Sequence, residues 1–150
     1  MGLVQSIGIS RSGLQVERLR MDVVANNIAN MNSTRQANGA PGPYQREILT
    51  IAAQDGAQPF PTLLARLTGE TTPGGVTATA ITTDPSPGRR VYDPSNPDAD
   101  AQGYVTYPNI DLTVEMSDML GAERSYQANA TALNAMKTMA QAAIGIGSTH

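Results

Sequence analysis

The chain has 150 residues and no cysteine, and its ten Lys and Arg residues are outnumbered by thirteen Asp and Glu, for a net charge of −3. These counts exclude a disulfide framework and a thiolate metal site, and the scattered positive charge argues against a nucleic-acid binder. Leu, Ile, Val and Phe together number 28, just under a fifth of the residues. We therefore expect no single thick apolar core, and predict a fold that relies on partners.

The opening residues contain no basic segment followed by an unbroken apolar run. Nowhere do about 18 apolar residues follow one another, which is the length that a membrane-spanning helix needs. We therefore expect neither a cleaved secretory signal peptide nor a membrane span.

The prolines divide the chain into three parts. All ten lie between Pro41 and Pro108, and proline interrupts both helices and central strands. We predict an α+β fold in which residues 1–40 and 109–150 form paired, antiparallel, coiled-coil-like terminal helices. These helices are the predicted assembly module, and residues 41–108 are predicted to form an inserted β-rich region.

The first part predicts a long amphipathic helix over 3–32. Alternate steps of four and three residues from Leu3 give nine positions, of which seven are apolar, a pattern typical of coiled coils. The asparagine-rich stretch that follows weakens a helix and favours a turn, so we expect the helix to end near residues 31–34. The predicted assembly residues on this helix are Leu3, Ile7, Leu14, Glu17, Met21, Val24, Asn26, Asn27, Ile28 and Asn30.

The middle part predicts four short strands in a small, mostly antiparallel β-unit. The predicted strands are rich in Val, Ile, Thr and Tyr and are bounded by Gly or Pro. They span 44–51, 76–83, 89–92 and 103–107. Residues 52–75 show no clear period, which predicts an irregular loop or extended hairpin anchored by Phe60, Leu63 and Leu64.

The last part predicts a second long helix over 112–144. Asn109 or Asp111 is placed to cap its start, and Glu115 lies in an early turn where the helix dipole favours an acid. Gly145 and Gly147 predict its end. The predicted assembly residues on this helix are Met116, Met119, Leu120, Tyr126, Asn129, Leu133 and Met136.

The apolar stripe of the second helix is wider than one partner helix covers. An antiparallel pair would leave an exposed apolar strip, which normally marks an interface with other subunits. The alternative is a monomeric helical hairpin whose remaining surface is covered by the middle region.

Residues suited to catalysis or metal binding are scarce. The single histidine, His150, is the last residue, where order is uncommon, so a Ser-His-Asp site is implausible. Asp93, Asp98 and Asp100 have carboxylates that suit a hard cation, but their spacing is not that of an EF-hand and Asp near Pro is an ordinary turn former. We predict structural turns, no metal, no cofactor and no enzymatic activity. A calcium-dependent extracellular binding module and a carboxylate-pair hydrolase are the alternatives.

Three stretches resemble the flagellar axial proteins of the rod and hook. Residues 25–30 read ANNIAN and, with Asn32, Ser33 and Thr34, resemble the N-terminal signature of that family. Residues 115–129, EMSDMLGAERSYQAN, resemble its C-terminal signature. The turns between them resemble those of the proximal-rod members. The residues that carry this last resemblance are Asp84, Pro87, Tyr92, Asp93, Pro94, Asp98, Asp100, Gly103 and Tyr104.

The resemblance implies a structural subunit of the proximal rod in the bacterial flagellar basal body. It implies a tubular shaft that crosses the periplasm around the export channel, built from copies of this chain and from other rod proteins. Export would use the flagellar type III apparatus, without a cleaved signal peptide. The nearest alternative is another rod subunit of the same family.

Overall fold

The computed structural model describes residues 3–35, 42–54 and 74–147, and it confirms the α+β class. In these residues two long helices stand before and after four short strands in chain order. The elements are α1 (Leu3–Ala29), β1 (Glu47–Ala53), β2 (Val76–Thr83), β3 (Arg89–Tyr92), β4 (Tyr104–Tyr107) and α2 (Leu112–Gly147). The anchors predicted at Phe60, Leu63 and Leu64 lie outside the described residues.

Helix α1 ends at Ala29, just before the predicted limit, within the asparagine-rich stretch. The Asn30 N–H is shared between the carbonyls of Asn26 and Asn27, at 3.1 and 3.2 Å. The Asn30 Nδ2 also donates to the Asn26 carbonyl at 3.0 Å. Such side-chain bonds compete with helix continuation, as predicted from the asparagine-rich sequence.

Helix α2 begins with the cap expected of Asp111. Its Oδ1 accepts hydrogen bonds from the Thr113 and Val114 N–H groups, at 2.8 and 3.4 Å. At the other end the helix continues past the predicted residue 144 and ends at Gly147, the second of the two glycines that were predicted to end it. Gly145 keeps helical backbone, because a single glycine costs a helix only about 1 kcal/mol and does not by itself end it.

The strands form two separate two-stranded sheets, β1 with β2 and β3 with β4. The second sheet is antiparallel, with Arg89 opposite Tyr107 and Val91 opposite Val105. Strand β1 starts three residues later than predicted and ends at Ala53, whereas β2 and β3 have the predicted bounds. Strand β2 has no charged residue and is exposed along most of its length.

The chain forms two compact units, each of which takes part of both helices. One consists of the described residues of 20–50 and 80–121, and the other of those of 1–19, 51–79 and 122–150. The buried apolar side chains among the described residues are four valines, one alanine and one proline. They are Val16, Val23, Val24, Val105, Ala122 and Pro108. This thin core agrees with the shortage of large apolar residues.

Each unit contains a contact between the described parts of the two helices. In one unit Gly13 lies against the side chain of Asn129, and in the other Asn27 bonds to Glu115. None of the helices in the described part of the chain combines the length and apolar character needed to cross a lipid bilayer.

Candidate functional site

The buried amide of Asn27 is bonded through both of its polar atoms. Its Nδ2 donates to the Glu47 carbonyl at 2.9 Å and to Oε2 of Glu115 at 3.2 Å. Its Oδ1 accepts from the Glu47 N–H at 2.9 Å and from the Tyr44 hydroxyl at 3.2 Å. The amide therefore pairs with the backbone of Glu47, the first residue of β1, as a neighbouring strand would. Asn27 joins the end of α1 to β1 and α2.

Glu115 is a fully buried carboxylate at the start of α2. The Arg46 guanidinium, just before β1, donates from Nε to Oε1 of Glu115 at 2.6 Å. A second guanidinium nitrogen of Arg46 lies 3.7 Å from Oδ2 of the exposed Asp118. Because Asn27 occupies the other oxygen of Glu115, both oxygens of this carboxylate have partners, as a buried charge requires.

Tyr44 and Asn26 complete the cluster at its outer side. The Asn26 Nδ2 is 3.3 Å from both the Tyr44 hydroxyl and Oε2 of Glu47. Partial burial raises the pKa of Tyr44, and the negative charges of Glu47 and Glu115 raise it further. We refer to Asn26, Asn27, Tyr44, Arg46, Glu47 and Glu115 as the polar junction. Its groups bond to one another, an arrangement that fixes geometry.

The loop that carries Asp93, Asp98 and Asp100, which we call the acidic loop, forms structural turns, as predicted. Asp93 accepts from the N–H and the hydroxyl of Ser95, at 3.3 and 2.7 Å. Asp100 accepts from the backbone N–H of Gln102 and of Tyr104, and these bonds contribute to a lowered pKa for its carboxyl group. Within the described residues no group of three or more His, Cys, Asp or Glu is arranged to hold a metal ion.

Asp98 links the acidic loop to the chain that follows α1. Its carboxylate accepts from the Thr34 hydroxyl at 2.6 Å and from Nε of Arg35 at 2.7 Å. The hydrogen bonds from Arg35 and Thr34 lower the pKa of Asp98, and the bond from Arg35 has the larger effect. The same contact raises the pKa of Arg35.

The remaining signature residues shape the loops around the β3–β4 sheet. Gly103 has a φ of 82°, and a Cβ there would lie 2.9 Å from the Tyr92 ring and 3.3 Å from Pro94. The Tyr92 and Tyr104 rings meet edge to face, with centroids 5.3 Å apart. Asp84 accepts from the Ser86 N–H at 2.9 Å, and this turn, just before Pro87, lowers the pKa of Asp84.

The predicted assembly residues of α1 differ in burial. Val24 and Asn27 are buried inside the chain, whereas Asn26 is exposed. The side chain of Leu3 lies outside the described part. The half-buried members are Ile7, Leu14, Glu17, Met21, Ile28 and Asn30.

The predicted assembly residues of α2 fall into two groups. Met116, Leu120 and Tyr126 are exposed. The half-buried members are Met119, Asn129, Leu133 and Met136. Asn129 is the residue that lies against Gly13 of α1.

Four members of the polar junction were not predicted as site residues: Tyr44, Arg46, Glu47 and Glu115. A signal for Glu115 was nevertheless present. Glu115, Ala122 and Asn129 recur at intervals of seven and therefore lie on one line of α2. A charged residue on such a line indicates a buried partner. The interaction of Glu115 with the helix dipole involves only the first turns of α2 and gives no sign of that partner.

Comparison with known proteins identifies both ends of the chain. Residues 7–35 match the family described as flagella basal body rod protein, and residues 101–146 match the flagellar basal body rod FlgEFG protein C-terminal family. The chain is 44% identical to the flagellar basal-body rod protein FlgC of Bacillus subtilis, over 95% of this chain and 96% of that one.

Two further relatives carry the same name. FlgC of Borreliella burgdorferi is 40% identical, over 97% of this chain and 98% of its own. FlgC of Escherichia coli O157:H7 is 33% identical, over 98% and 99%. Matches at both termini and over the full length define the class, a structural subunit of the bacterial flagellar basal-body rod. The chain belongs to the FlgC family of flagellar basal-body rod proteins.

Proposed function

We propose that this rod subunit polymerises through its terminal helices into a tubular shaft around the export channel. Residues 1–40 and 109–150 are the assembly module, and residues 41–108 form the inserted region. The neighbours are copies of the same chain and other rod proteins. The names of the relatives and the apolar surface of α2 support this proposal.

The observation that carries the proposal is a row of exposed apolar side chains at the start of α2. Leu112, Met116 and Leu120 are 40, 53 and 52% exposed. Their spacing of four residues aligns them along the helix. The same stretch buries Glu115 completely. We call Leu112, Met116 and Leu120 the outer row; together with Val114, which is 50% exposed, it is the apolar surface of this stretch that the chain leaves open.

A helix of a neighbouring rod subunit is the occupant that fits the outer row. Aliphatic side chains four residues apart form the ridge that packs into the groove of another helix. The row contains no charge, so covering it removes no ion from water. A long apolar row on a structural subunit is typical of an interface.

Substitution of Leu120 by Asp tests the proposal. A carboxylate in a packed helix contact is costly unless it has a partner, so we expect Leu120→Asp to abolish swimming in soft agar and to remove the subunit from purified basal bodies. Gly121→Asp is the matched control, because Gly121 is exposed, a Cβ there meets nothing within 4 Å, and it lies ~140° around the helix from Met116 and ~100° from Leu120.

Circular dichroism of each purified variant should show that both retain their helices. The control should swim. Normal incorporation of a folded Leu120→Asp subunit would contradict the proposal, and failure of both variants would mean that the outer row is not special.

We infer that the subunit lies in the proximal rod, crosses the periplasm with it, and is exported by the type III apparatus without cleavage. Its role is structural, without catalysis or cofactor. Mass spectrometry of the subunit recovered from basal bodies should find the N-terminal peptide intact.

A further inference from the structure

The apolar side chains of α2 have little shape that could specify its axial register against α1. Helix α2 contains eight alanines and four methionines among its 36 residues. Alanine has no shape that fits one hole alone, and methionine adapts to irregular gaps. Because apolar attraction has no direction, helices with such surfaces can slide past one another at small cost.

The polar junction specifies the axial register of α1 against α2. Asn27 and Glu115 are both buried, and their hydrogen bond forms at one axial position. A slip of one turn moves the partners apart by about 5.4 Å. The slipped state would leave a buried carboxylate and a buried amide without each other, which is costly. A single buried polar contact is known to specify register in paired helices.

Arg46 extends the same specification to the sheet. It bonds to Glu115 through its side chain, and its carbonyl accepts from the Asp84 N–H at 2.8 Å, next to β2. Glu47, the next residue, pairs with Asn27 through its backbone. The entry to β1 is therefore placed relative to both helices by the same few groups.

We infer that Asn27, Arg46 and Glu115 act as a register lock, which fixes α1 against α2 and β1 against both. They are positioning residues. The inference rests on the proposed function, because a subunit that assembles through the outer row must present that row at one height. The free energy of the lock serves specificity, and an apolar replacement of the same size should fold without it.

The register can be read with engineered disulfides, since the chain has no cysteine of its own. A Cβ on Gly13 would lie 3.2 Å from Cγ of Asn129, so Gly13→Cys with Asn129→Cys brings two thiols within disulfide reach. Helices α1 and α2 are each continuous from these positions to the lock. Gly13→Cys with Ala122→Cys, and with Met136→Cys, report slips of one heptad, about 10.5 Å at ~1.5 Å per residue.

The lock is removed by the triple variant Asn27→Leu, Arg46→Met and Glu115→Leu in the purified full chain. In the parent we expect the Gly13–Asn129 pair to form disulfide in at least about tenfold excess over either slipped pair. In the triple variant we expect the excess to fall to about twofold or less, with helix content retained. An unchanged excess would overturn the inference.

Two further variants keep the test decisive. Asn27→Leu with Glu115→Gln retains an acceptor for Arg46 and perturbs folding less, and we expect it to lower the excess as well. Val105→Ala lowers stability at a buried site outside the lock, and should leave the excess unchanged. A fall in Val105→Ala equal to that in the lock variants would assign the effect to stability alone and overturn the inference.

The disulfide measurement separates this inference from the proposed function, because it needs no assembly. If the disulfide excess falls in the triple variant while Leu120→Asp is incorporated normally, the register lock is supported and assembly through the outer row is refuted. A constant excess together with failed incorporation of Leu120→Asp would retain the row and refute the lock.

Discussion

Nε of Arg46 lies 2.6 Å from Oε1 of Glu115, and this short ion pair joins β1 to α2. Arg90 and Asp100 form a pair of the same 2.6 Å length, but their side chains are 55 and 43% exposed, against 24 and 1% for Arg46 and Glu115. Equal distances in different surroundings allow the effect of burial to be measured.

We predict that Arg46→Ala lowers the free energy of unfolding by about 3–5 kcal/mol, because it leaves a buried carboxylate without its cation. Arg90→Ala should cost less than about 1 kcal/mol, as is usual for exposed pairs. Urea denaturation of the two variants and the parent provides the comparison. Equal losses would show that burial of Glu115 does not raise the cost.

The neighbouring residues Asn26 and Asn27 provide a second matched pair. Asn27→Ala removes the hydrogen-bond partner of the Glu47 backbone and of one oxygen of Glu115. We therefore expect the free energy of unfolding to fall by about 1–3 kcal/mol. Asn26 is exposed. Its Nδ2 makes two bonds of 3.3 Å, and its Oδ1 accepts from Nδ2 of the neighbouring Asn30 at 3.0 Å, so Asn26→Ala should stay within about 0.5 kcal/mol of the parent. The same urea experiment checks both, and a larger loss at Asn26 would refute the assignment.

Two glycines of α1 should respond differently to a methyl group. A Cβ on Gly8 meets nothing within 4 Å, whereas one on Gly13 lies 2.9 Å from Nδ2 of Asn129. Gly8→Ala should therefore gain up to about 1 kcal/mol from helix propensity. Gly13→Ala should forfeit that gain through the clash.

Thermal unfolding of the single variants and of Gly13→Ala with Asn129→Ala checks this prediction. Relative to Asn129→Ala alone, the added Gly13→Ala should recover the gain, because the crowded side chain is gone. Identical shifts for Gly8→Ala and Gly13→Ala would rule out a tight contact.

Asp98 should make stability depend on acid. Its pKa is lowered in the folded chain by Arg35 and Thr34, relative to about 3.9 for an unperturbed Asp. The folded state therefore binds this proton less readily, so the stability contributed by Asp98 is present above about pH 4 and is lost as the pH falls through its folded pKa.

We expect the difference in unfolding free energy between the parent and Asp98→Asn to shrink between about pH 5 and pH 2. Arg35→Gln removes the largest cause of the lowered pKa of Asp98. Its unfolding free energy should therefore depend less steeply on pH over this range than that of the parent. Urea midpoints at several pH values measure it. Parallel curves for the parent and Asp98→Asn would exclude the mechanism.

The fold was predictable where local chemistry decides structure. The turn at Asp93 uses a bond to Ser95, two residues away, and the cap at Asp111 uses a bond to Thr113, also two residues away. Such contacts form within almost any fold and are visible in the sequence. The proline-free ends likewise permitted two long helices.

The polar junction was not predictable, because its bonds join distant residues. Arg46 and Glu115 are separated by 69 positions, and Asn27 and Glu115 by 88. From the first turns of α2 alone, Glu115 is predicted to be an exposed residue that the helix dipole stabilises. Only the packing of α1, β1 and α2 around it converts that carboxylate into a buried group.

Strand β2 has a consequence for the subunit before it reaches the rod. Its sequence, VTATAITT, contains no charge, and most of it is exposed. Uncharged strands with high β propensity at a sheet edge are templates for pairing with other chains. Free subunits held at high concentration should therefore aggregate through β2, which favours delivery of each copy directly from synthesis to the growing structure rather than from a stored pool.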